Sequence, residues 1–316
     1  MKKLYTKEYV ERIAAREGFI KDNIEKVLRL TDILEFLNSD KELSGKLALK
    51  GGTAINLTMA NFPRLSVDID LDFAVNLDKD AVAAFRTRFR EILNDFIEAE
   101  GYRLLEKPRT HYALDSFMLS YNGTSGNRDN IKVEINYLDR AHILPLEYRS
   151  VYERITDEPL RVLTLNPIEI YASKTVALFS RVAPRDLYDV YTMIESGVIA
   201  DDDKSLFRKC FVFYNVCGGN QDADTVDFTS LNKFSFDIIR RQLKPVLAKS
   251  DKFDASLAVP AVSVYLQAAL ALSDNEREFV RLFREKNYQP ELLFDDAEII
   301  DRIKVHPMVL WRTKQQ

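Results

Sequence analysis

The feature of this chain that most restricts its fold is an alternating acidic strand, Val67-Asp68-Ile69-Asp70-Leu71-Asp72-Phe73. It comes soon after a double-glycine turn at Leu49-Lys50-Gly51-Gly52-Thr53-Ala54. Strand side chains alternate between faces, so Asp68 and Asp70 project together while Val67, Ile69 and Leu71 fill a core. Two carboxylates about 7 Å apart on one strand repel each other, and a cation between them relieves the repulsion. Hard cations take carboxylate oxygens, and Mg²⁺ is held by one or two protein carboxylates together with substrate phosphates. The turn at Gly51 and Gly52, ending in the hydroxyl of Thr53 at a helix start, offers backbone N–H groups that wrap a phosphate. On this reading the turn positions a triphosphate beside a metal held by Asp68 and Asp70.

A third carboxylate, Glu134 in Ile131-Lys132-Val133-Glu134-Ile135, completes the triad that two-metal phosphoryl or nucleotidyl transfer uses. Asp72 shares the acidic face, but Phe73 and Ala74 carry the strand past it, and its part in metal binding stays open. Ser66 and Arg64 precede the acids and stand within range of a triphosphate; Arg64 is equally a candidate surface-loop residue.

The flanking segments describe a mixed sheet with helices inserted. Residues 6–38 predict two helices broken near Gly18, 47–49 a short strand, 53–59 a helical turn, and 61–65 a Pro-containing loop. The strand over 67–75 follows. Residues 78–100 place Val82, Phe85, Phe89, Ile92, Leu93 and Phe96 at helical spacing. Strand-like runs cover 102–105, 113–121 and 131–138, the last two joined by the turn-rich 122–127. From about residue 160 the pattern is nearly all helical. Asn166-Pro167-Ile168-Glu169 opens a helix to about Arg181, Pro184 restarts one to about Ser196, and Ser273-Asp274-Asn275-Glu276 opens another. Residues 201–203 and 218–224 read as loops. The expected fold is α+β, with a sheet-bearing domain over 1–160 and a helical domain over 161–316.

A chain of 316 residues, 46% of them hydrophobic, can bury one large core or two ordinary ones, which excludes a disordered or disulfide-rich class. No stretch approaches the ~18 apolar residues of a membrane span, and residues 1–15 lack a secretory apolar core, so a cytoplasmic protein without membrane contact is expected. Cys210 and Cys217 lie in an aromatic helical stretch without further ligands and read as buried thiols. Basic and acidic residues number 24 and 27 in 1–160 and 21 and 22 in 161–316, so neither half is a basic nucleic-acid module. A polyanion must use a local patch. Lys50, Arg86, Arg88, Arg90, Arg240, Arg241, Lys244 and Lys249 are the candidates, each of which has a solvated helix face as its alternative.

A second cluster holds Lys174, then Arg181-Val182-Ala183-Pro184-Arg185-Asp186-Leu187-Tyr188-Asp189. Lys174 and Arg181 are two helical turns apart and share a face, so both reach one anionic ligand. The alternative is an exposed basic stripe. Asp186 has an ordinary role as a carboxylate favouring the dipole of the helix after Pro184.

In order, Lys-Gly-Gly-Thr-Ala, Arg-x-Ser-x-Asp-Ile-Asp-Leu, Val-Glu-Ile, and Lys followed by Arg-x-x-Pro-Arg-Asp-Leu-Tyr-Asp resemble four motifs of the AbiEii/AbiGii family of nucleotidyltransferase toxins. That family includes the MenT-type enzymes and falls in the superfamily related to DNA polymerase beta; Thr53 stands where the superfamily carries Ser. The resemblance spans about residues 45–195. It implies a polymerase-beta-like nucleotidyltransferase sheet with flanking helices, then a helical domain contributing Lys174 and Asp186 to the site. It also implies a cognate antitoxin encoded nearby, in a bacterial phage-defence or stress module. Carried over by motif, Gly51, Gly52, Thr53, Ser66, Lys174 and Arg181 bind nucleotide, and Asp68, Asp70 and Glu134 bind Mg²⁺, with Mn²⁺ as its substitute. Asp186 is the essential acid of the last motif, as base or substrate-orienting group, and Arg185 is a further candidate phosphate contact. The implied reaction is attack by a hydroxyl of an RNA acceptor, the tRNA 3′ end foremost, on the α-phosphorus of an NTP with loss of pyrophosphate. Two alternatives keep the same core: a small-molecule or protein hydroxyl as acceptor, or a non-catalytic nucleotide-binding module. The clustered acids argue against the module, because Asn at those positions would relieve the repulsion.

Overall fold

Alternating burial along Leu114–Asn122 and Arg128–Asn136 makes these runs the longest strands of one eight-stranded sheet, paired antiparallel residue by residue. The turn between them is held from outside. The buried Glu25 carboxylate accepts the Thr124 N–H (2.8 Å) and hydroxyl (2.7 Å). In chain order the strands are β1 (Leu47–Leu49), β2 (Asp68–Phe73), β3 (Arg103–Leu104), β4 (Arg109–Thr110), β5 (Leu114–Asn122), β6 (Arg128–Asn136), β7 (Glu147–Ser150) and β8 (Arg161–Thr164). The sheet runs β3-β5-β6-β2-β1-β8-β7, with β4 on β5. The acidic strand β2 is therefore interior, parallel to β6 and antiparallel to β1.

This computed structural model describes residues 5–60, 62–219 and 225–314. Lys2 and Lys3, Asn61 of the 61–65 loop, and the 218–224 loop from residue 220 onward lie outside the described residues. Two compact units are present. One comprises Met1–Arg140, Leu146–Thr164 and Val246–Ser250; the other comprises Ala141–Pro145, Leu165–Pro245 and Asp251–Gln316.

In the first unit, α1 (Lys7–Glu17) ends at Gly18 in the left-handed region (φ 76°), and α2 (Lys21–Ser39) follows. After β1 comes α3 (Gly51–Thr58); α4 (Lys79–Glu100) is capped by the Asp78 side chain. The helical stripe of α4 meets the sheet through Phe85 on Phe73 (centroids 4.5 Å apart) and Phe89 on Phe117 (5.7 Å), while Phe96 stacks on Phe36 of α2 (4.1 Å). Phe73, Phe89 and Phe117 are buried, and each contributes about 1.5–3 kcal/mol. A late segment of the chain returns to this unit. The Leu65 N–H donates to the Val246 carbonyl (2.7 Å), Arg64 bridges Leu247, and the Lys249 N–H donates to the Gly18 carbonyl (2.8 Å).

The second unit is helical: α5 (Pro167–Arg181), α6 (Pro184–Ser196), α7 (Lys204–Cys217), α8 (Phe236–Gln242), α9 (Ala255–Ala269), α10 (Asp274–Arg284), α11 (Ala297–Lys304) and α12 (Pro307–Thr313). Asn166 caps α5 and the Ser273/Glu276 capping box opens α10, as their sequences predict. Glu169 does more than start α5. Buried, it accepts the N–H groups of Ile143 (3.1 Å) and Leu144 (3.0 Å) and the Tyr214 hydroxyl, anchoring 141–145 on the helices. Residues 161–164, which open the region read as helical from sequence, form β8 instead and pair with β1 and β7. Their Val162 and Leu163 are buried, and short apolar runs do not separate a strand from a helix by periodicity alone. Cys210 and Cys217 are buried and not joined in a disulfide. Among the described residues no single helix is long and apolar enough to cross a membrane.

Candidate active site

The turn after β1 is pressed against the acidic strand. The Lys50 N–H donates to the Asp70 carbonyl (2.9 Å), and the chain then turns at Gly51 (φ 69°) into α3. A Cβ at Gly51 would stand 2.9 Å from Asp70 Oδ2, and one at Gly52 would stand 2.6 Å from the Arg64 guanidinium and 3.1 Å from Ser66 Oγ. Gly51 is thus required by both its backbone angle and the carboxylate beside it. Thr53 is fully buried, with its hydroxyl on the Asp68 carbonyl and Ser66 Oγ 2.9 Å away, so it braces α3 against the start of β2. Arg64 is no surface-loop residue. It is the largest fully buried side chain, and its guanidinium donates to the Leu65 carbonyl (2.9 Å). A sequence alone gives no signal for this, because the strand fragment that covers it comes from residue 246 onward.

Along β2, Asp68 and Asp70 are half-buried on one side, and the register sets Asp68 beside Lys132 and Asp70 beside Glu134 of β6. Burial pushes the Asp70 carboxyl above the usual carboxylate range; Lys50 opposes this, and the neighbouring Asp68 and Glu134 charges reinforce it. Glu134 is paired with Lys132 (2.7 Å). Asp72, unlike the other two acids, is 1% exposed and meets the Lys50 ammonium at 2.5 Å, with Asp139 3.4 Å from the same nitrogen. Burial alone would lower the Lys50 pKa, but Asp72, Asp139 and Asp70 together hold it raised. Lys50 is therefore a counterion inside the acidic cluster. Among the described residues no group of three or more His, Cys, Asp or Glu side chains is arranged to hold a metal ion.

The second cluster lies within the helical unit. Lys174, 6% exposed, places its ammonium 3.1 Å from Asp186 Oδ1 and 3.0 Å from Asp189 Oδ2. Arg181 grips the same Asp186 with two nitrogens (2.5 and 2.7 Å), reaching in from an exposed position at the end of α5. Lys174 and Arg181 do share one anion, as their spacing predicts. That anion is a carboxylate of the neighbouring helix. Arg185 instead donates to the Gln242 carbonyl (3.2 Å).

Several cations proposed for a polyanion patch are committed elsewhere. Arg86 and Arg90 converge on the buried Asp115 (2.7 and 3.0 Å), and Arg88 pairs with Glu42 and Glu91. Arg240, Arg241, Lys244 and Lys249 are exposed.

The sequence profile described as nucleotidyl transferase AbiEii toxin, type IV toxin–antitoxin system, matches residues 32–270 and so takes in both clusters. The chain belongs to this AbiEii family. It is accordingly a nucleotidyltransferase toxin of a type IV toxin–antitoxin system, with an NTP as substrate and an antitoxin as partner. The structure is similar to that of MenT4, a nucleotidyltransferase toxin from Mycobacterium tuberculosis H37Rv, with a TM-score of 0.63 at 17% identity, covering 89% of this chain and 97% of MenT4. No curated protein sequence matches the chain. The AbiEii fold is thus the one expected from the motifs, a nucleotidyltransferase sheet with flanking helices followed by a helical region.

Proposed function

We propose that this AbiEii enzyme transfers a nucleoside monophosphate from an NTP to a hydroxyl of an RNA acceptor, the 3′ end of a tRNA, using Mg²⁺ or Mn²⁺ at Asp68 and Asp70. The observation that carries the reading is the close approach of turn and strand. With the Gly51 Cβ position 2.9 Å from Asp70 Oδ2, a phosphate on the turn's N–H groups lies beside the two carboxylates. Two hard carboxylates plus substrate phosphate oxygens suit Mg²⁺, whose protein ligands number only one or two in such sites. When bound, the ion supplies charge that acidifies the attacking hydroxyl and neutralises the triphosphate.

The protein's own groups do the rest. The N–H groups of Gly52 and Thr53 orient the phosphates, and Arg64 and Ser66 hold the turn that presents them. Glu134, paired with Lys132 at 2.7 Å, would add a third carboxylate to a bound ion. By the family motif, the helical unit contributes Lys174 and Arg181 as triphosphate contacts and Asp186 as the group that deprotonates or orients the acceptor hydroxyl. A phosphate then takes the place of a carboxylate on Lys174. The setting is the bacterial cytoplasm, within a phage-defence module.

Transfer of each α-³²P-labelled NTP to total bacterial RNA with Mg²⁺ tests this. Label on a discrete RNA, abolished by Asp68→Ala and by Asp186→Ala, is the expected result. NTP binding with no label on RNA would overturn the RNA acceptor and move it to a protein or small-molecule hydroxyl.

A further inference from the structure

Between α8 and the first half of α9 the helical unit carries a groove of about 890 Å³. That is near the upper end of ligand pockets, roughly 300–1,000 Å³. Phe234, Phe236 and Phe253 line it together with Arg240, Lys244 and Lys252. Phe236, the first residue of α8, is 74% exposed, so packing in a core does not account for it. Phe253 continues the aromatic surface, meeting Tyr188 (5.3 Å) and Tyr191 (5.8 Å) edge-on; both tyrosines lie on α6, the helix of Asp186. A second depression over α6 shares residues 251–254 with the first.

Three cations, Arg240, Lys244 and Lys252, and two acids, Asp251 and Asp254, line the groove, which leaves one positive charge in excess. The acids are oriented by local donors: Asp251 accepts the Tyr188 hydroxyl (2.6 Å) and the Phe253 N–H (2.8 Å), and Asp254 caps α9 through the Ser256 N–H (2.8 Å). Lys244 and Lys252 take part in no ion pair among the described residues, and Arg240 lies 3.8 Å from Asp237 on the exposed face of α8. An exposed ring beside cations outside any ion pair, as Phe236 stands in one groove with Lys244 and Lys252, is the arrangement that binds unpaired nucleic acid: phosphates sit on the cations and a base stacks on the ring. A protein partner would call for apolar anchors enclosed in a rim, with charged residues depleted at the centre.

We infer that this groove holds unpaired nucleotides of the RNA acceptor. The inference rests on the RNA reading of the transfer reaction, and gives that RNA a binding surface on α8, α9 and α6. Stacking on one ring is worth roughly a 5- to 150-fold change in affinity. Each phosphate neutralised on a single strand adds about 0.7 to the slope of log affinity against log salt.

The test is binding of a short fluorescent oligoribonucleotide without secondary structure to the full chain, followed by anisotropy, with RNA labelling measured in parallel. Phe236→Ala should weaken oligonucleotide binding about tenfold while Phe236→Tyr restores it. The double variant Lys244→Gln, Lys252→Gln should lower the salt slope by about 1.4. NTP affinity should be unchanged in all three. If wild type and variants bind and label RNA alike, the groove assignment is overturned while the RNA reading stands. If wild type neither binds nor labels RNA, the RNA reading falls and takes the groove with it. Phe236→Ala abolishing transfer to a protein acceptor instead would likewise overturn the assignment.

Discussion

The two acidic clusters of this enzyme settle their charge in opposite ways. On the interior strands β2 and β6, Asp68, Asp70 and Glu134 crowd one face of the sheet, with Lys132 on Glu134 and Lys50 drawn mainly to Asp72. Between α5 and α6, Asp186 and Asp189 are fully buried and meet Lys174 and Arg181 at 2.5 to 3.1 Å. The first cluster keeps an excess of negative charge on a half-buried face of the sheet. The second is closed, so any ligand there must displace a partner already bound. Charge supply therefore distinguishes a cluster left short of positive charge from one neutralised by its own side chains.

The largest effect should come from breaking the closed cluster. Lys174→Met leaves two buried carboxylates facing an apolar chain, and loss of one partner of a buried pair costs about 3–5 kcal/mol. Urea unfolding should show this as a drop in midpoint, much of it regained when Asp189→Asn is added. A loss below about 1 kcal/mol would mean that Lys174 carries no more than a surface ion pair does. Next comes Asp70→Asn, which should reduce nucleotide transfer by about 100-fold or more. The same change should raise stability by about 0.2–1 kcal/mol, since it removes a like charge opposite Glu134. A variant that loses both activity and stability would show that Asp70 is a structural residue and would erase the contrast between the clusters.

Gly51→Ala should be intermediate. Its φ of 69° and the 2.9 Å approach to Asp70 Oδ2 together predict a loss of about 1–3 kcal/mol. The NTP affinity should fall as well, because the turn must move away from the acids. Gly126→Ala is the control: its φ is 81° but nothing lies within 4 Å, so it should cost less and leave nucleotide binding alone.

What was legible in advance follows the range of the signals. Strand alternation and turn chemistry act over a few residues, so Gly51, Gly52, Asp68 and Asp70 could be brought together from the chain alone, as could the caps at Asn166 and Ser273. The burial of Arg64 depends on Val246 and Leu247, some 180 residues later in the chain, and no local pattern announces it. Likewise Arg86 and Arg90 look like an exposed basic stripe until Asp115 arrives from β5, and Lys50 looks like a free cation until Asp139 arrives from beyond β6. The shared face of Lys174 and Arg181 was readable from helical spacing. The owner of the anion was not, because it depends on how α6 packs against α5.

The smallest effect is also the most specific to the open cluster. Asp70 is held above the usual carboxylate range, mainly by burial, so the folded state binds its proton more tightly than the unfolded chain. Stability should therefore fall as pH rises from the ordinary carboxylate range through the raised value, because unfolding there releases a proton. Below that window the group is protonated in both states and contributes no slope. Above it, both states are ionised and the penalty of the buried charge stays constant. Asp70→Asn removes this term, so the stability curves of wild type and variant should converge at the acid end. As pH increases, the variant should become the more stable, by less than about 1 kcal/mol. The buried Glu169 is also shifted upward, by burial first, but it gives both proteins the same slope and cancels in the difference. Adding Mg²⁺ should then flatten the wild-type curve, because a cation at Asp70 favours the carboxylate, while the variant's curve stays as it was. If Mg²⁺ leaves the difference between the two curves unchanged across this window, Asp70 is not its ligand and the open cluster is neutralised by some other charge.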